Sequence, residues 1–316
     1  MKKKTVRKMK RRERIAAAVR GEMTDRVPYA LWLRPASSVL EPEESAERAW
    51  SFYEACGTDI VKTMNGRLYS AEDFLNGTGG PDRPVSVNAG ALAREQEGLK
   101  LLLEKTKGEV PAVFTVFSPL ATAEVLCPGI PERIRNGEKE KIRQVLTAVT
   151  ETTCELVRRV IELGADGIFL EVPAASYDSF GEELYREYGM PYDLAVLSAS
   201  GGWCNVLHAS GTNILFPLLR KYPVQIFSWN AGKSLPEIGE AKALTGRCIM
   251  TGLDGSAAAF GKRNEIERDI YNTLRQTGGR GIILSPGCAL PETPAEEDIS
   301  FLRRSMKEIE RKMAGR

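Results

Sequence analysis

The residue types best suited to chemistry stand at the ends of short apolar runs of the sequence. Glu171, His208 and Asn230 each end such a run, and His208 is the single histidine of the chain. A lone histidine is often structural, but its place at the end of a run favours a functional role. Carboxyl and imidazole groups can act as general acid and base near neutral pH. We therefore predict that Glu171, His208 and Asn230 take part in catalysis.

Polar and charged side chains at the ends of the other runs are suited to binding a substrate. Arg34 and Lys62 can hold a carboxylate or a phosphate, and Asp254 can anchor a cation or accept a proton. The structural alternative is that Glu171 pairs with Lys62 or Arg34 inside the site. The predicted substrate-binding residues are Arg34, Lys62, Asn65, Ser210, Trp229 and Asp254.

A metal site is a further hypothesis at the same ends. His208 and Cys288 would supply one imidazole and one thiolate, which are zinc ligands, but zinc usually takes three or four protein ligands. The hydroxyl of Ser210, two residues after His208, is a poor ligand, so Glu171 and Asp254 are the candidates for a third. The sequence thus predicts zinc at His208 and Cys288 with an incomplete ligand set, and it indicates no other cofactor.

These positions require a fold that gathers the ends of many strands. Apolar runs without clean alternation are typical of parallel strands covered on both faces. No glycine-rich phosphate-binding motif favours an open doubly wound sheet. Repeated β-then-α units favour an α/β fold, a single (β/α)8 TIM barrel with its site at the carboxyl ends of the strands. The predicted strands are Val27–Leu33, Asp59–Asn65, Ala112–Ser118, Gly167–Val172, Trp203–Ser210, Val224–Asn230, Arg247–Asp254 and Gly281–Cys288.

The regions between the predicted strands carry a helical period. Long loops are expected after strands 2 and 4, at residues 66–110 and 173–202, and such loops can act as lids over a barrel site. Residues 1–12 form a basic segment that we expect to be a flexible tail, and residues 13–316 form the barrel domain. The predicted helices are Glu44–Cys56, Lys139–Leu163, Asn213–Lys221, Pro236–Leu244, Asn264–Thr277 and Ala295–Met313.

Composition limits the classes of function. The chain has 44 basic and 42 acidic residues, and its net charge of +2 argues against nucleic acid as a partner. No apolar run is long enough to span a membrane. The six cysteines are scattered and form no disulfide framework, which favours a reducing, cytoplasmic location.

Several motifs lie in order along nearly the whole chain: Arg11-Arg12-Glu13-Arg14, Gly21-Glu22, Asp25-Arg26-Val27-Pro28, Gly164-Ala165-Asp166-Gly167-Ile168, His208-Ala209-Ser210-Gly211, Gly252-Leu253-Asp254, Gly278-Gly279, Pro286-Gly287-Cys288 and Thr293-Pro294. Together they resemble the uroporphyrinogen decarboxylase superfamily, whose fold is a (β/α)8 barrel. The superfamily includes the haem-pathway decarboxylase and zinc-dependent methyltransferases that move methyl groups between methylated corrinoid proteins and thiols such as coenzyme M.

The resemblance favours one branch of the superfamily. The decarboxylase has an arginine-rich motif after its first strand, whereas the corresponding stretch 31–38 holds one arginine here. The methyltransferase ligand pattern is His-x-Cys with a distant Cys; His208 and Cys288 match its ends, and Ser210 replaces its middle cysteine. The resemblance implies a methyltransferase acting on a small molecule, with a methyl-corrinoid protein or a thiol as partner. A metal-free decarboxylase on a carboxylated, tetrapyrrole-like substrate and a degenerate binding protein are the alternatives.

Overall fold

A parallel sheet forms the centre of the molecule. The computed structural model describes residues 7–34, 40–63, 89–254 and 262–315. Within these ranges, seven strands lie in chain order, and every neighbouring pair is parallel. The strands are β1 (Val61–Lys62), β2 (Ala112–Phe117), β3 (Gly167–Glu171), β4 (Val206–Ala209), β5 (Ile226–Trp229), β6 (Cys248–Gly252) and β7 (Ile282–Ser285).

Helices connect the strands and cover the outer face of the sheet. Their apolar residues pack on the sheet as one continuous core, which is the arrangement expected of repeated βα units. The helices are α1 (Arg11–Val19), α2 (Pro42–Cys56), α3 (Ala89–Thr106), α4 (Pro119–Leu126), α5 (Ile130–Arg135), α6 (Lys139–Glu162), α7 (Gly181–Tyr188), α8 (Met190–Ser198), α9 (Phe216–Leu219), α10 (Ile238–Thr245), α11 (Arg263–Thr277) and α12 (Glu296–Ala314).

The first of the eight predicted strands is reduced to two isolated bridges. Tyr29 pairs with Leu284 of β7, and Leu33 pairs with Leu290, both in the parallel direction. Proline at position 28 has no N–H to donate, which limits a regular ladder here. On its other side, the Tyr29 carbonyl accepts a hydrogen bond of 2.9 Å from the Asp59 N–H. The described architecture is therefore a curled seven-stranded parallel sheet rather than eight full strands.

The long connections also differ from the prediction. The connection at residues 173–202 contains helices α7 and α8, and its Tyr185 and Tyr188 are fully buried. It is therefore packed into the core rather than lying free as a loop. In the earlier connection, residues 89–106 form helix α3, while residues 64–88, with the predicted site residue Asn65, lie outside the described residues.

A second apolar cluster fills the concave side of the sheet, and helix α1 covers its amino end. Ile15 and Ala18 of α1 belong to this cluster. The two terminal guanidinium nitrogens of Arg12 donate to the carboxylate of Asp166, at 2.5 and 2.9 Å. Residues 11 and 12, which the sequence assigned to a flexible tail, are thus part of this helix. The other members include Ala30, Trp32, Ile60, Val113, Phe169, Cys204, Val206, Ile226, Cys248, Met250 and Ile283.

No helix in the described ranges combines the length and apolar character that crossing a membrane requires.

Candidate functional site

The register of the sheet places the central residues of the site side by side. Glu171 on β3 is the register partner of His208 on β4, and His208 is the partner of Ser228 on β5. Paired residues on parallel strands direct their side chains to the same face of the sheet. This face is the concave one, because Phe169 and Val206, two residues earlier on their strands, lie in its apolar cluster.

Lys62 and Glu171 form an ion pair at the carboxyl ends of β1 and β3. The distance from Lys62 Nζ to Glu171 Oε1 is 3.3 Å, and Nζ lies 4.6 Å from the centre of the Phe169 ring. Burial lowers the pKa of the Lys62 ammonium, and the charge of Glu171 opposes that shift. The Lys62 side chain is 4% exposed and that of Glu171 is 16% exposed. Glu171 is therefore the member of the pair that a substrate or solvent can reach.

His208 is held in an aromatic environment. Its ring centre lies 5.5 Å from Trp32, which is edge-on, and 5.3 Å from Phe169. Its Nδ1 atom lies 3.0 Å from the hydroxyl oxygen of Ser228. Burial lowers the pKa of His208 to about 4; Lys62 lowers it further, and Glu171 raises it. The imidazole is therefore neutral at neutral pH, with one nitrogen protonated and the other not.

Ser210 directly follows β4, and Asn230 directly follows β5, at the carboxyl ends of these strands. Asn230 is buried, and its side-chain oxygen accepts a hydrogen bond of 3.1 Å from the Gly232 N–H. Ser210 is half-buried. Within the described ranges, neither side chain has a recorded contact with Lys62, Glu171 or His208. The structure thus places both near the same end of the sheet but outside the central cluster.

A second group of charges surrounds Cys288 in the loop after β7. Burial raises the pKa of the Cys288 thiol, while Lys233 and Arg34 lower it and Asp254 raises it. Gly287 lets this loop approach β5, since a Cβ on Gly287 would lie 2.2 Å from the Trp229 carbonyl oxygen. The predicted residues Arg34, Asp254 and Cys288 therefore share one electrostatic environment.

Trp229 does not lie in the mouth of the sheet. Its side chain is fully buried, it packs against Phe227 with ring centres 5.5 Å apart, and its indole N–H donates to the Ser234 carbonyl. Successive side chains on a strand point to opposite faces, so Trp229 lies on the helix-covered face while Ser228 and Asn230 lie on the concave one. The expected place of Trp229 in the substrate pocket is therefore corrected.

A zinc site would require three or four metal-binding side chains to lie together. Across the described ranges, no three side chains among His, Cys, Asp and Glu form a group that could hold a metal ion. His208 is joined to Ser228, whereas the charges acting on Cys288 belong to Lys233, Arg34 and Asp254. The described donor set therefore does not fit a zinc site.

Ser228 and Phe169 are site residues that the sequence did not single out. Phe169 lies two residues before Glu171, and Ser228 lies two residues before Asn230, so each shares the face of the residue at its strand end. Alternation along each strand would have found them once the end residues Glu171 and Asn230 were chosen. Their contact with His208 also depends on register between strands, which one sequence does not provide.

Fold and site together define an α/β enzyme-like protein with polar side chains at the carboxyl ends of parallel strands. The family model for uroporphyrinogen decarboxylase (URO-D) matches residues 81–309, and the chain belongs to this family. The resemblance noted in the sequence is thereby confirmed.

Two curated relatives carry different names. A methylcobamide:CoM methyltransferase of Methanosarcina acetivorans is 26% identical over 223 residues, which is 65% of this chain and 60% of the relative. A uroporphyrinogen decarboxylase of Trichodesmium erythraeum is 28% identical over 185 residues, 54% of this chain and 49% of the relative. The match thus spans about half to three fifths of each relative's length.

Solved structures agree on the fold. A methyltransferase from Methanosarcina mazei superposes with a TM-score of 0.74 at 19% identity, covering 95% of this chain and 99% of the other. A B12-independent methionine synthase from Shewanella sp. has a TM-score of 0.62 at 15% identity, covering 92% and 97%. Both similarities concern the fold alone.

Proposed function

We propose that this chain is a methyltransferase that moves a methyl group from a methylated corrinoid to a small thiol at the carboxyl ends of its strands. The observation that carries the proposal is the Lys62–Glu171 ion pair beside a neutral His208. This largely buried cluster can accept a proton from a thiol. The methyltransferase relative, 26% identical, supports the choice of reaction.

The reaction requires a thiolate. The sulfur of the deprotonated thiol attacks the methyl carbon, a carbon–sulfur bond forms, and the carbon–cobalt electron pair stays on the corrinoid as Co(III) becomes Co(I). In the proposed mechanism, Glu171 accepts the thiol proton and passes it to solvent through its exposed edge. Lys62 keeps the carboxylate oriented, and His208 stabilises negative charge through a ring N–H. No step uses zinc, because the described ligands do not complete a site.

Within this proposal, residues 27–34 take the position of the eighth strand of a (β/α)8 barrel. They hydrogen-bond to β7 through Leu284 on one side and to Asp59, just before β1, on the other. Residues 13–316, together with Arg11 and Arg12 of helix α1, then act as one domain. Its mouth would collect Arg34, Lys62, Glu171, His208, Asn230 and Cys288.

Decarboxylation is the second candidate function. The positive charges of Arg34 and Lys62 at the mouth would bind carboxylates, and the protonated carboxyl group of Glu171 would donate to the carbon left after CO2 departs. The relative named uroporphyrinogen decarboxylase supports this candidate. The 3.3 Å pairing of Lys62 with Glu171 counts against it, because the charge on Lys62 is already compensated.

The two functions separate in a direct assay. The purified protein is incubated with methylcobalamin and coenzyme M, while absorbance follows loss of the methyl–cobalt bond and mass spectrometry follows the methylated thiol. A parallel incubation with uroporphyrinogen tests for CO2 release. We expect methyl transfer, reduced about 100-fold or more by Glu171→Gln and unchanged by Glu182→Gln on helix α7. CO2 release without methyl transfer would favour the decarboxylase. The absence of both products would favour a binding protein.

A further inference from the structure

The hydrogen bond between His208 and Ser228 is the most enclosed polar contact of the site. His208 Nδ1 and Ser228 Oγ lie 3.0 Å apart, and Ser228 is fully buried. The two residues are register partners on β4 and β5, so the sheet itself fixes their separation. The uncharged rings of Trp32 and Phe169 flank the imidazole. The charged groups that act on it are Glu171 and Lys62.

The direction of this hydrogen bond follows from counting donors and acceptors. A serine hydroxyl carries one hydrogen to donate, and a buried donor without an acceptor is unfavourable. In the part of the chain that the structure describes, His208 Nδ1 is the one hydrogen-bond partner recorded for Ser228 Oγ. If the ring donated instead, the hydroxyl hydrogen would be buried without an acceptor. The satisfied arrangement therefore has Ser228 donating to an unprotonated Nδ1.

We propose that Ser228 is a positioning residue that fixes His208 as the tautomer with its proton on Nε2. The imidazole then presents an N–H donor to the substrate rather than a lone pair. Such a donor binds an electron-rich atom, namely a thiolate sulfur or a carboxylate oxygen, beside the ammonium of Lys62. The substrate class named here rests on the proposed function. The tautomer of His208 does not depend on any reaction.

The same tautomer disfavours zinc binding through Nε2 of His208. A ligating histidine offers the lone pair of one nitrogen and donates its other N–H to an acceptor. Here the hydroxyl of Ser228 occupies the lone pair of Nδ1, and Nε2 carries the hydrogen. Zinc binding at Nε2 would require the proton to move to Nδ1, which leaves the buried hydroxyl hydrogen of Ser228 without an acceptor.

Nitrogen NMR tests the tautomer directly, because the chain contains one histidine and its ring signals need no assignment. The full-length protein is labelled with 15N-histidine and examined at neutral pH. We expect a pyridine-type resonance for Nδ1 and a pyrrole-type resonance for Nε2. One equivalent of Zn²⁺ should leave both unchanged. A protonated Nδ1 with a bare Nε2, or a zinc-shifted Nε2, would overturn the proposal.

Variants of Ser228 test whether its hydroxyl fixes the tautomer of His208. Ser228→Ala should mix the two tautomers, whereas Ser228→Thr, which keeps the hydroxyl, should restore the wild-type spectrum. Ser305→Ala, at a buried serine on helix α12, is the matched control and should change nothing. The kcat of methyl transfer should fall with Ser228→Ala and recover with Ser228→Thr. An unchanged tautomer in Ser228→Ala would refute the role of Ser228, while absent activity with the expected spectra would refute the proposed function alone.

Discussion

Lys62 Nζ lies 3.3 Å from Glu171 Oε1 although their strands, β1 and β3, are separated by β2. The lysine side chain therefore crosses the concave face of the sheet, and its ammonium lies over the Phe169 ring. A pair that spans an intervening strand fixes the distance between two parts of the site. It also removes two charges from water, which is unfavourable unless both remain matched.

Removing one member of this pair should cost more stability than removing both. Lys62→Met leaves the carboxylate of Glu171 in a mostly buried place without its cation, and we expect a loss of about 3 kcal/mol in the free energy of unfolding. The double variant Lys62→Met/Glu171→Gln should recover most of that loss. Urea denaturation of the single and double variants measures the coupling. If the loss of stability in the double variant equals the sum of the losses in the two single variants, the two side chains do not interact.

The low pKa of His208 predicts a specific dependence of stability on pH. Because burial lowers its pKa from 6.5 to about 4, the unfolded chain binds a proton in this range while the folded chain does not. Wild-type stability should therefore decrease relative to His208→Gln as the pH falls from about 6.5 to about 4, by roughly 3 kcal/mol in total. Chemical denaturation at several pH values checks this, and an NMR titration midpoint near pH 6.5 would contradict it.

For Asp193 on helix α8, we expect the opposite dependence of stability on pH. It is fully buried, accepts hydrogen bonds from Tyr185 and Tyr222, and has one oxygen without a hydrogen-bond partner. Burial raises its pKa from 3.8 to about 7, and the two tyrosines oppose that shift. The folded chain holds this proton after the unfolded chain has lost it. Its stabilising contribution is thus complete below about pH 4 and is lost as the pH rises through about 7.

A substitution separates this effect from other titrations. Asp193→Asn keeps the shape of the protonated acid, so wild type should lose roughly 2–3 kcal/mol relative to the variant between pH 5 and pH 8. The exposed Asp178→Asn is the matched control and should follow wild type. Unfolding curves at the two pH values provide the comparison. Parallel behaviour of wild type and Asp193→Asn would mean that Asp193 is ionised throughout.

The sequence predicts the strands better than their contacts. Continuous apolar runs located the seven strands of the described ranges. Lys62, Glu171 and His208 lie at or next to strand ends, because parallel strands gather their polar ends at one edge of the sheet. Even the alternative that Glu171 pairs with Lys62 came from residue type and position. The prediction that Trp229 binds substrate was wrong because it used residue type and ignored the alternation of side chains along β5. The Ser228–His208 contact depends on register, and the isolated bridges at Tyr29 depend on backbone hydrogen bonding that apolar pattern does not encode.

Restoring the missing cysteine tests why the described donors do not fit zinc. Ser210 follows His208 by two residues, directly after the end of β4, so Ser210→Cys adds a thiol near the end of the same strand, and thiolate is a far better zinc ligand than a hydroxyl. We expect zinc affinity to rise about tenfold or more over wild type, measured by competition with a chromophoric chelator. The gain remains limited because zinc must first reverse the hydrogen bond from Ser228 to His208.

Controls for the cysteine variant follow from that hydrogen bond. Ser210→Ala should bind zinc no better than wild type, since it adds no ligand. Ser210→Cys/His208→Gln should lose the gain, because the imidazole is then absent. Ser210→Cys/Ser228→Ala should bind zinc more tightly than Ser210→Cys, because Nδ1 no longer receives the serine hydrogen. Stoichiometric zinc in wild type that disappears with His208→Gln would instead establish His208 as a ligand and contradict the tautomer on which this prediction depends.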